Sequence, residues 1–471
     1  MKSIIKTIEL NHSPEQVFAR IQKQKPCFWL DSAIENSERG IWSYLGFNPF
    51  LKIRFHNSIL QVSGILEEEL KTRNPLKELR NYFLEWKMPQ IDPRFPFLSG
   101  GVGYLGYEMG NYIERLPFTR KDDLLLPEMA LNFYQFILGF HHPESRWYLL
   151  GFEDSKLGKS AEEFEYALGE IMDADEGEFA GEFFSEKLES NLSRQEYINA
   201  VLRAKEYIRS GDIYQVNFTQ RFSSAYEGSA FALYQRLRRQ NPGCYAGVWL
   251  EPEFSILSSS PELFLRVRGN DVLTRPIKGT RPRGKTSEDD EKQRTELLNS
   301  EKDLAELAMI VDLERNDLGR VCDYGSVKVL GYPELESYSR VHHLIATVSG
   351  KLAQGKDIFD LLRATFPGGS ITGAPKIRAM EIIDELEPNT RGPYTGSLGW
   401  ISFSGNMELN IAIRIIILKN RFAYFPAGGG IVYDSDPDSE YEESWTKALA
   451  LWEALSGREP NALLTNEVDR A

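Results

Sequence analysis

The chain has 471 residues, 42% of them hydrophobic and 26% charged, and this length allows a sizeable buried core. The composition excludes a wholly disordered chain, and the net charge of −14 argues against a nucleic-acid partner, which needs clustered Lys and Arg. Much of that charge lies between Gly151 and Ser190, where 13 side chains are acidic and three are basic, so the remainder is nearly neutral.

Cysteine content and hydropathy indicate the compartment. Cys27, Cys244 and Cys322 are far apart and form no CxxC pair. This spacing excludes a disulfide framework and a Cys-based zinc site, and it is typical of a reducing compartment. No apolar run approaches the roughly 18 residues of a membrane span, and the first residues lack the apolar core of a signal peptide. We therefore expect a soluble cytoplasmic protein without a membrane partner.

The first third of the chain is predicted to be a β-rich lobe, residues 1–150. Gly, Pro and Asn separate its short β-like runs, which cover residues 2–10, 51–55, 59–62, 133–140 and 147–152. Residues 151–190 follow as an acidic connector, in which an amphipathic pattern predicts one helix at 160–172.

Residues 191–456 form the predicted catalytic region, and 457–471 a C-terminal tail. Ser193 and Glu196 make a capping box ahead of a helical pattern. One long charged helix is predicted over 287–313, and a last helix begins with Asp436 followed by Pro437. Strands are predicted at 213–222, 245–250, 255–259 and 263–267. The mixture predicts a large α/β protein.

Three motifs resemble known sites but lack an essential part. The glycines of residues 101–106 have the dinucleotide-binding spacing, yet the segment is itself β-like, so close packing of strands is the expected role. Residues 368–373 have the glycine spacing of a phosphate-binding loop without its Lys and Ser/Thr. His342 and His343 lack a second-ligand pattern for zinc.

Two helices each present a pair of carboxylates beside an apolar stripe. Asp303 and Glu306 lie one turn apart on the first helix. Glu440 and Glu443 do the same on the last helix, with Lys447 one turn further along. Each pair alone is more often a solvated polar face, but carboxylates that converge from two helices suit a hard cation such as Mg²⁺.

Other segments carry candidate acidic, cationic and anion-binding groups. Glu262 follows a Ser-Ser-Ser-Pro turn at a strand end, where it is well placed to be a general acid. The three glycines that follow the apolar strand at 421–426 expose amides that can bind an anion. Arg414 lies inside the apolar run 409–418, and a buried Arg needs an anionic partner from the protein or from a ligand.

Taken together these segments resemble the chorismate-utilising enzymes, over nearly the whole chain and most densely from Gly211 to Lys447. The matching segments are SPE at 260–262, RPIKGT at 275–280, HHL at 342–344, GSITGAPK at 369–376 and AGGG at 427–430. The resemblance implies an α+β fold, a large mixed α/β unit in which two packed, antiparallel-rich β-sheets are flanked by helices. It also implies chorismate as the substrate and Mg²⁺ as the cofactor.

The resemblance assigns roles residue by residue. Glu262 matches the general acid that assists departure of the ring hydroxyl at carbon 4. Glu306, Glu440 and Glu443 match the Mg²⁺ ligands, and Asp303 is a secondary candidate. The substrate-binding positions of the family are matched by Thr280, His343, Ser370, Thr372, Tyr394, Arg414, Lys447, Gly428, Gly429, Gly430 and Gln215.

Two positions discriminate among members of the family. Gln215 stands where isochorismate-forming members have a lysine base, so activation of water is not expected. Lys278 matches a lysine of aminodeoxychorismate-forming members, in which it is proposed to be a covalent nucleophile, whereas anthranilate-forming members have Ala there. A desolvated amine near other cations has a lowered pKa and becomes nucleophilic. Anthranilate formation is the alternative, and a silent regulatory subunit is a third hypothesis that the presence of Glu262 disfavours.

The reaction needs ammonia, and the three cysteines lack the Gly-rich surroundings of a glutaminase nucleophile. The resemblance therefore implies a separate glutamine amidotransferase subunit as the partner, and it places the product in 4-aminobenzoate and folate synthesis. The sequence Trp29-Leu30-Asp31-Ser32 partly matches a tryptophan-binding motif of anthranilate-forming members, and we expect no feedback control from it.

Overall fold

The computed structural model describes residues 1–32, 40–174, 183–184, 187–338 and 340–457. Most of the predicted acidic run at 173–182, and all of the predicted tail except Gly457, lie outside the described residues. The α-helices are α1 (Pro14–Ile21), α2 (Pro75–Glu85), α3 (Ala161–Asp173), α4 (Arg194–Arg209), α5 (Ala230–Gln240), α6 (Ser287–Leu298), α7 (Glu301–Gly319), α8 (Ile358–Thr365), α9 (Lys376–Leu386) and α10 (Pro437–Ser456).

The strands of the first half are short and follow one another closely. They are β1 (Lys2–Ile8), β2 (Cys27–Asp31), β3 (Trp42–Phe47), β4 (Leu51–His56), β5 (Ile59–Gly64), β6 (Glu68–Lys71), β7 (Gly100–Leu105), β8 (Met129–Tyr134), β9 (Phe136–His141), β10 (Arg146–Glu153), β11 (Phe183–Phe184) and β12 (Glu189–Ser190).

Longer strands alternate with helices in the second half. They are β13 (Gln215–Glu227), β14 (Tyr245–Leu250), β15 (Phe254–Ser260), β16 (Leu263–Arg268), β17 (Asp271–Arg275), β18 (Ile277–Pro282), β19 (Lys328–Ser337), β20 (Val341–Lys351), β21 (Gly373–Ala374), β22 (Ser397–Ser402), β23 (Met407–Asn410), β24 (Ile415–Lys419) and β25 (Phe422–Ile431).

These strands form two large antiparallel sheets. The first has the order β1-β10-β9-β3-β2-β14-β15-β24-β25-β13-β11, with β12 and β21 also paired to β13. The second has the order β18-β20-β17-β16-β23-β22-β7-β8-β4-β5-β6, with β19 also paired to β20. Strands from residues 1–150 therefore lie in both sheets beside strands of the catalytic region, for example β2 between β3 and β14. The predicted domain boundaries stay predictions.

The sheets pack face to face, and helices cover their outer faces. Because side chains alternate along a strand, neighbouring residues point into different layers. On β2, Phe28 joins the cluster between the sheets, whereas Trp29 packs against α1 and α5. On β7, Tyr104 joins the same central cluster and Leu105 lies on the opposite side, with the cluster that includes α2, α7, α8 and α9. The predicted fold class, two packed antiparallel sheets flanked by helices, is confirmed.

Three predicted elements are each divided into two elements in the structure. The helix predicted over 287–313 is two helices, because the Ser300 hydroxyl accepts a hydrogen bond from the Asp303 amide and caps a new helix, α7. The strand predicted over 133–140 is interrupted at Gln135, where the chain leaves the second sheet and enters the first. The apolar run around Arg414 is likewise two strands, β23 and β24, which belong to different sheets.

Local capping signals were predicted correctly. Ser193 and Glu196 form both hydrogen bonds of the capping box at the start of α4. Asp436 caps α10 by accepting from the Ser439 amide, and Pro437 is the first residue of that helix. Among the residues described, no helix combines the length and apolarity needed to cross a membrane.

Candidate active site

The candidate site lies where the chain twice crosses from one sheet to the other. Glu262 lies in the crossing from β15 to β16, and Arg414 lies in the crossing from β23 to β24. The two crossings are hydrogen-bonded side by side, since the Ile411 amide donates to the Glu262 carbonyl (3.0 Å) and the Ser259 amide donates to the Arg414 carbonyl (3.0 Å). Arg414 has a positive φ of 52°, an uncommon conformation for a residue with a side chain.

A cavity of about 840 Å³ opens at these crossings. This volume lies in the range of small-molecule sites. Its wall brings together most of the predicted site residues: Glu262, Lys278, Thr280, Asp303, Glu306, His343, Ser370, Tyr394, Arg414, Gly428, Gly429, Gly430, Glu440, Glu443 and Lys447.

Glu262 is a buried acid poised near neutrality. Burial raises the pKa of Glu262 to about 7, although a hydrogen bond from Ser370 and the charge of Lys278 oppose the shift. The Ser370 hydroxyl donates to Glu262 Oε1 at 2.6 Å. A carboxyl with such a pKa can hold a proton at neutral pH and release it to a leaving group, as a general acid requires.

Lys278 lies on β18 and directs its amine toward Ser370, the residue that also bonds to Glu262. Its Nζ donates to the carbonyl oxygen of Ser370 at 3.1 Å. Burial lowers the pKa of Lys278, while the carboxylates of Glu306 and Glu262 act in the opposite direction. The lowered pKa increases the fraction of neutral, nucleophilic amine, which makes this lysine chemically competent for covalent catalysis.

His343 forms a neutral bridge between two other predicted residues. Its Nε2 lies 3.3 Å from an Arg414 guanidinium nitrogen, and its Nδ1 lies 2.9 Å from the Thr280 hydroxyl. Burial and the Arg414 charge lower the pKa of His343 to about 3. Because Arg414 can only donate, Nε2 is the acceptor and the proton resides on Nδ1.

Arg414 is available for an anionic ligand. Within the described part of the chain, no carboxylate forms an ion pair with its guanidinium. Burial lowers the pKa of Arg414. A buried guanidinium without a carboxylate partner suits the carboxylate of a bound molecule. Of the two alternatives left open by the sequence, the geometry therefore favours a ligand.

The glycine segment extends β25 instead of following it, so the predicted strand at 421–426 was too short. Gly428 pairs with Thr219 of β13, and a Cβ there would lie 2.1 Å from a backbone oxygen. A Cβ on Gly429 would lie 3.2 Å from Glu440 Oε2 and 3.6 Å from Glu443 Oε1. The missing side chain leaves this space to the carboxylates of α10.

The carboxylates of α7 and α10 face one another across the cavity. Burial raises the pKa of Glu306 and of Glu440, and the Glu440 carboxylate accepts a hydrogen bond from Ser435 at 2.7 Å. Desolvation acts to raise the pKa of Glu443, but the ion pair with Lys447 (2.7 Å) and the charges of Lys302 and Lys278 together outweigh it, and the pKa is lowered.

The donor chemistry of this wall fits a hard divalent cation, because all three predicted ligands are carboxylates. Two of them already converge next to Gly429. The arrangement is not a completed metal site, however, since no group of three or more His, Cys, Asp or Glu among the described residues is assembled to hold a metal ion. Asp303, the secondary candidate, is engaged by Arg281 at 3.2 Å.

Two of the predicted site residues do not line the cavity. Gln215 and Thr372 lie outside the described cavity wall. The Thr372 hydroxyl donates to the Gly368 carbonyl at 3.0 Å and so stabilises the turn that carries Ser370. Tyr394 lines the cavity, and burial raises its pKa, so its phenol stays protonated.

Several residues of the site were not predicted. Lys302 lines the cavity beside the carboxylates and lowers the pKa of Glu443. Glu314 and Arg391 lie behind the wall, where they bond to the turn at 368–372: Glu314 accepts from the Gly369 amide, and Arg391 donates to the Ile371 carbonyl. Charged residues on helices and loops give no sequence signal of burial, so only the fold identifies them.

The sequence is similar to that of known enzymes along almost its whole length. The chorismate binding enzyme family matches residues 25–453. The chain is 39% identical to anthranilate synthase component 1 of Thermus thermophilus over 453 residues, which cover 94% of this chain and 95% of that protein. It is 38% identical to aminodeoxychorismate synthase component 1 of Bacillus subtilis over 432 residues, 90% of this chain and 91% of that protein.

The fold is also similar to a solved structure. Anthranilate synthase component I from Streptococcus pneumoniae superimposes with a TM-score of 0.77 at 34% identity, over 89% of this chain and 93% of that chain. Relatives with two different activities are thus comparably similar to this chain, so overall identity does not separate the two reactions.

Proposed function

The chain belongs to the family of chorismate-binding enzymes, and we propose that it is the component 1 type that makes 4-amino-4-deoxychorismate from chorismate and ammonia. The observation that carries this proposal is the position of Lys278. Its amine lies in the cavity, is bonded to Ser370, and has a pKa lowered by burial. An alanine there would leave no nucleophile at this point of the wall.

The proposed reaction has two displacement steps. In the first, the neutral amine of Lys278 forms a bond to ring carbon 2 and loses a proton, the ring double bonds shift, and the bond from carbon 4 to its hydroxyl breaks. Glu262 supplies the proton with which that hydroxyl departs as water. In the second, ammonia forms a bond to carbon 4, the ring double bonds shift back, and the bond from carbon 2 to Lys278 breaks. The proton that the added ammonia loses goes to the departing lysine nitrogen, and the proton that Lys278 lost in the first step restores Glu262, so the net change is replacement of hydroxyl by amino with release of water.

Binding of the substrate is proposed to depend on cations and on the metal. Arg414 and Lys447 would contact carboxylates of chorismate, while His343 and Thr280 hold the Arg414 guanidinium in place. Glu306, Glu440 and Glu443 would hold Mg²⁺, which supplies positive charge for the ring carboxylate.

Ammonia is proposed to come from a partner. The relatives are named component 1, and a glutamine amidotransferase subunit is the class of protein that would supply ammonia to this site.

Anthranilate synthesis is the second candidate function, favoured by the 39% identity to the Thermus thermophilus protein. In that reaction ammonia itself would attack ring carbon 2.

The test is the identity of the product. We incubate the purified protein with chorismate, Mg²⁺ and ammonium, and identify the product by mass spectrometry with and without an added 4-amino-4-deoxychorismate lyase. We expect a product that the lyase converts to 4-aminobenzoate. Fluorescent anthranilate from the wild-type protein would contradict the proposal.

A matched variant tests the covalent step. Lys278→Ala is expected to abolish an enzyme adduct that rapid-quench mass spectrometry detects in the wild type, and to shift the product toward anthranilate. Lys302→Ala removes another lysine of the same wall and serves as the control, in which the adduct persists. A wild-type enzyme that turns over without any adduct would argue for direct attack by ammonia.

A further inference from the structure

One turn contacts both proposed catalytic groups. Residues Gly369–Ile371 form a single 3₁₀ turn. The Ser370 hydroxyl donates to Glu262 at 2.6 Å, and the Ser370 carbonyl accepts from Lys278 at 3.1 Å. A displacement of this turn would therefore disturb the acid and the nucleophile at the same time.

A buried glutamate on α7 bonds to this turn from behind. Glu314 is only 3% exposed, and its Oε1 accepts from the Gly369 amide at 3.1 Å. A Cβ on Gly369 would lie 3.2 Å from that oxygen and 2.6 Å from Leu313, so the backbone approaches α7 closely. Glu314 touches neither Glu262 nor Lys278 through any described hydrogen bond.

Burial of the Glu314 carboxyl costs folding free energy, so its position needs an explanation. Its second oxygen, Oε2, is buried and has no hydrogen-bond partner among the described residues. The nearby ammonium of Lys376 bonds to Asp317 instead. Burial raises the pKa of Glu314 to about 7. A buried polar group with half its acceptors unused is destabilising, and such groups occur where they serve a function.

We propose that Glu314 is a positioning residue, which fixes Ser370 by accepting the hydrogen bond of the Gly369 amide. This inference rests on the proposed roles of Glu262 and Lys278. Without the acceptor the Gly369 end of the turn loses an anchor that Thr372 and Arg391 do not replace, and the contacts of Ser370 with both groups lengthen. Because Glu314 lies behind the wall and forms no described hydrogen bond or ion pair with Arg414 or Lys447, the loss falls mainly on kcat.

Two substitutions at this position separate the hydrogen bond from the volume of the side chain. Glu314→Met keeps a similar volume and removes the acceptor, whereas Glu314→Gln retains an oxygen for the Gly369 amide. Asp312→Asn changes a carboxylate that is 75% exposed on the same helix and is the control. We expect Glu314→Met to lower kcat by about 10- to 100-fold with little change in KM for chorismate. Glu314→Gln and Asp312→Asn retain kcat within about threefold of the wild type.

A double-mutant cycle tests whether the effect passes through Ser370. In a Ser370→Ala background, Glu314→Met should lower kcat by a smaller factor than in the wild type, because the hydroxyl contact with Glu262 is already gone and only the backbone contact with Lys278 remains to be disturbed. The proposal is overturned if Glu314→Met retains wild-type kcat, if Glu314→Gln loses as much as Glu314→Met, or if the two losses multiply. Thermal unfolding midpoints establish that the variants are folded. Should the Met variant not fold, Glu314→Asp withdraws the acceptor by one methylene and provides the same comparison.

The assay follows consumption of chorismate, not formation of one product. If the wild type makes anthranilate, the proposed function fails, but the effect of Glu314 on kcat is still measured because both reactions need the acid Glu262. If the wild type makes 4-amino-4-deoxychorismate and the Glu314 variants behave alike, only the positioning role fails.

Discussion

The acid Glu262 owes its properties to its place in the chain crossing between the sheets. The residues around it supply hydrogen bonds from the Ser370 side chain and the Ile277 backbone, and the charges of Lys278 and Arg414, yet burial dominates and raises the pKa of Glu262 to about 7. A raised carboxyl pKa means that the folded state binds a proton that the unfolded state has already released. Ionising Glu262 therefore costs folding free energy between the unfolded pKa of about 4.5 and the folded value.

We expect Glu262→Gln to remove this pH-dependent cost. The amide has the shape of the acid but cannot ionise, so the variant should gain about 1–2 kcal/mol of unfolding free energy relative to the wild type between pH 5.5 and pH 8.5. Urea unfolding at the two pH values measures this difference. The same substitution should slow chorismate turnover by about 10²- to 10⁴-fold if Glu262 is the acid.

The control for this prediction is Glu9→Gln, because Glu9 is an exposed carboxylate between β1 and α1. The unfolding free energy of this variant should change between the two pH values by the same amount as that of the wild type. If Glu262→Gln also runs parallel to the wild type, then Glu262 titrates normally in the folded protein and is not tuned by burial.

At the scale of elements, two helices determine the spacing of the proposed metal ligands. Glu440 lies in the first turns of α10, immediately after the cap formed by Asp436, and Glu443 follows one turn later. Asp436 Oδ1 accepts from both the amide and the hydroxyl of Ser439, at 2.9 Å and 2.8 Å. The cap therefore fixes the start of the helix that carries two of the three carboxylates.

We expect Asp436→Ala to weaken Mg²⁺ activation. Loss of a helix cap costs about 1 kcal/mol. If that free energy must be regained when Mg²⁺ orders the first turn of α10, the Mg²⁺ concentration at half-maximal activity rises about fivefold. Titration of activity with Mg²⁺ measures this shift. Asp436→Asn keeps a capping oxygen and should behave as the wild type.

Ser160→Ala is the matched control, since Ser160 caps α3 through the same kind of hydrogen bond but does not line the cavity. It should lower stability by a similar amount without changing the Mg²⁺ requirement. An equal shift in both variants would mean that general destabilisation, not the α10 cap, governs the metal response.

Features with a local sequence signal, such as helix caps, were predictable. The points at which the chain passes from one sheet to the other were not. The cap at Ser193 is predicted from four consecutive residues and the cap at Asp436 from two, and both are confirmed. The breaks at Gln135 and Arg414 were missed because apolar strands lie on both sides of each, and hydropathy does not reveal a change of sheet. The glycine pattern around Gly103 was correctly attributed to strand packing, since a Cβ there would lie 2.0 Å from the Ala130 carbonyl oxygen.

The candidate site shows the same division. Glu262 was predicted from its place after a turn at a strand end, and Lys278 from the resemblance of the RPIKGT segment to the chorismate-utilising enzymes. Glu314 and Arg391 gave no such signal, since a charged side chain on a polar helix or in a loop is normally solvated. Their burial follows only from the contact of α7 and of the loop after α9 with the turn at 368–372.

At the scale of the molecule, the two sheets join the first and second halves of the chain. In the first sheet β2 lies between β3 and β14, and in the second β7 lies between β8 and β22. Removing either half would expose the edges of the neighbouring strands. It would also expose the central hydrophobic cluster, to which both halves contribute side chains. The site at the sheet crossings should therefore lose its geometry whenever either half unfolds.

We predict that the described part of the chain unfolds in one cooperative step, whichever half is weakened. Leu45 in β3 and Leu257 in β15 are both fully buried in the first sheet, one from each half. Leu45→Ala and Leu257→Ala should each cost about 2–5 kcal/mol and lower a single shared midpoint, because truncating a core leucine leaves a cavity. Calorimetry and the loss of chorismate turnover on heating should then coincide in both variants. A separate early transition in Leu45→Ala, with turnover surviving it, would show that residues 1–150 fold as an independent unit.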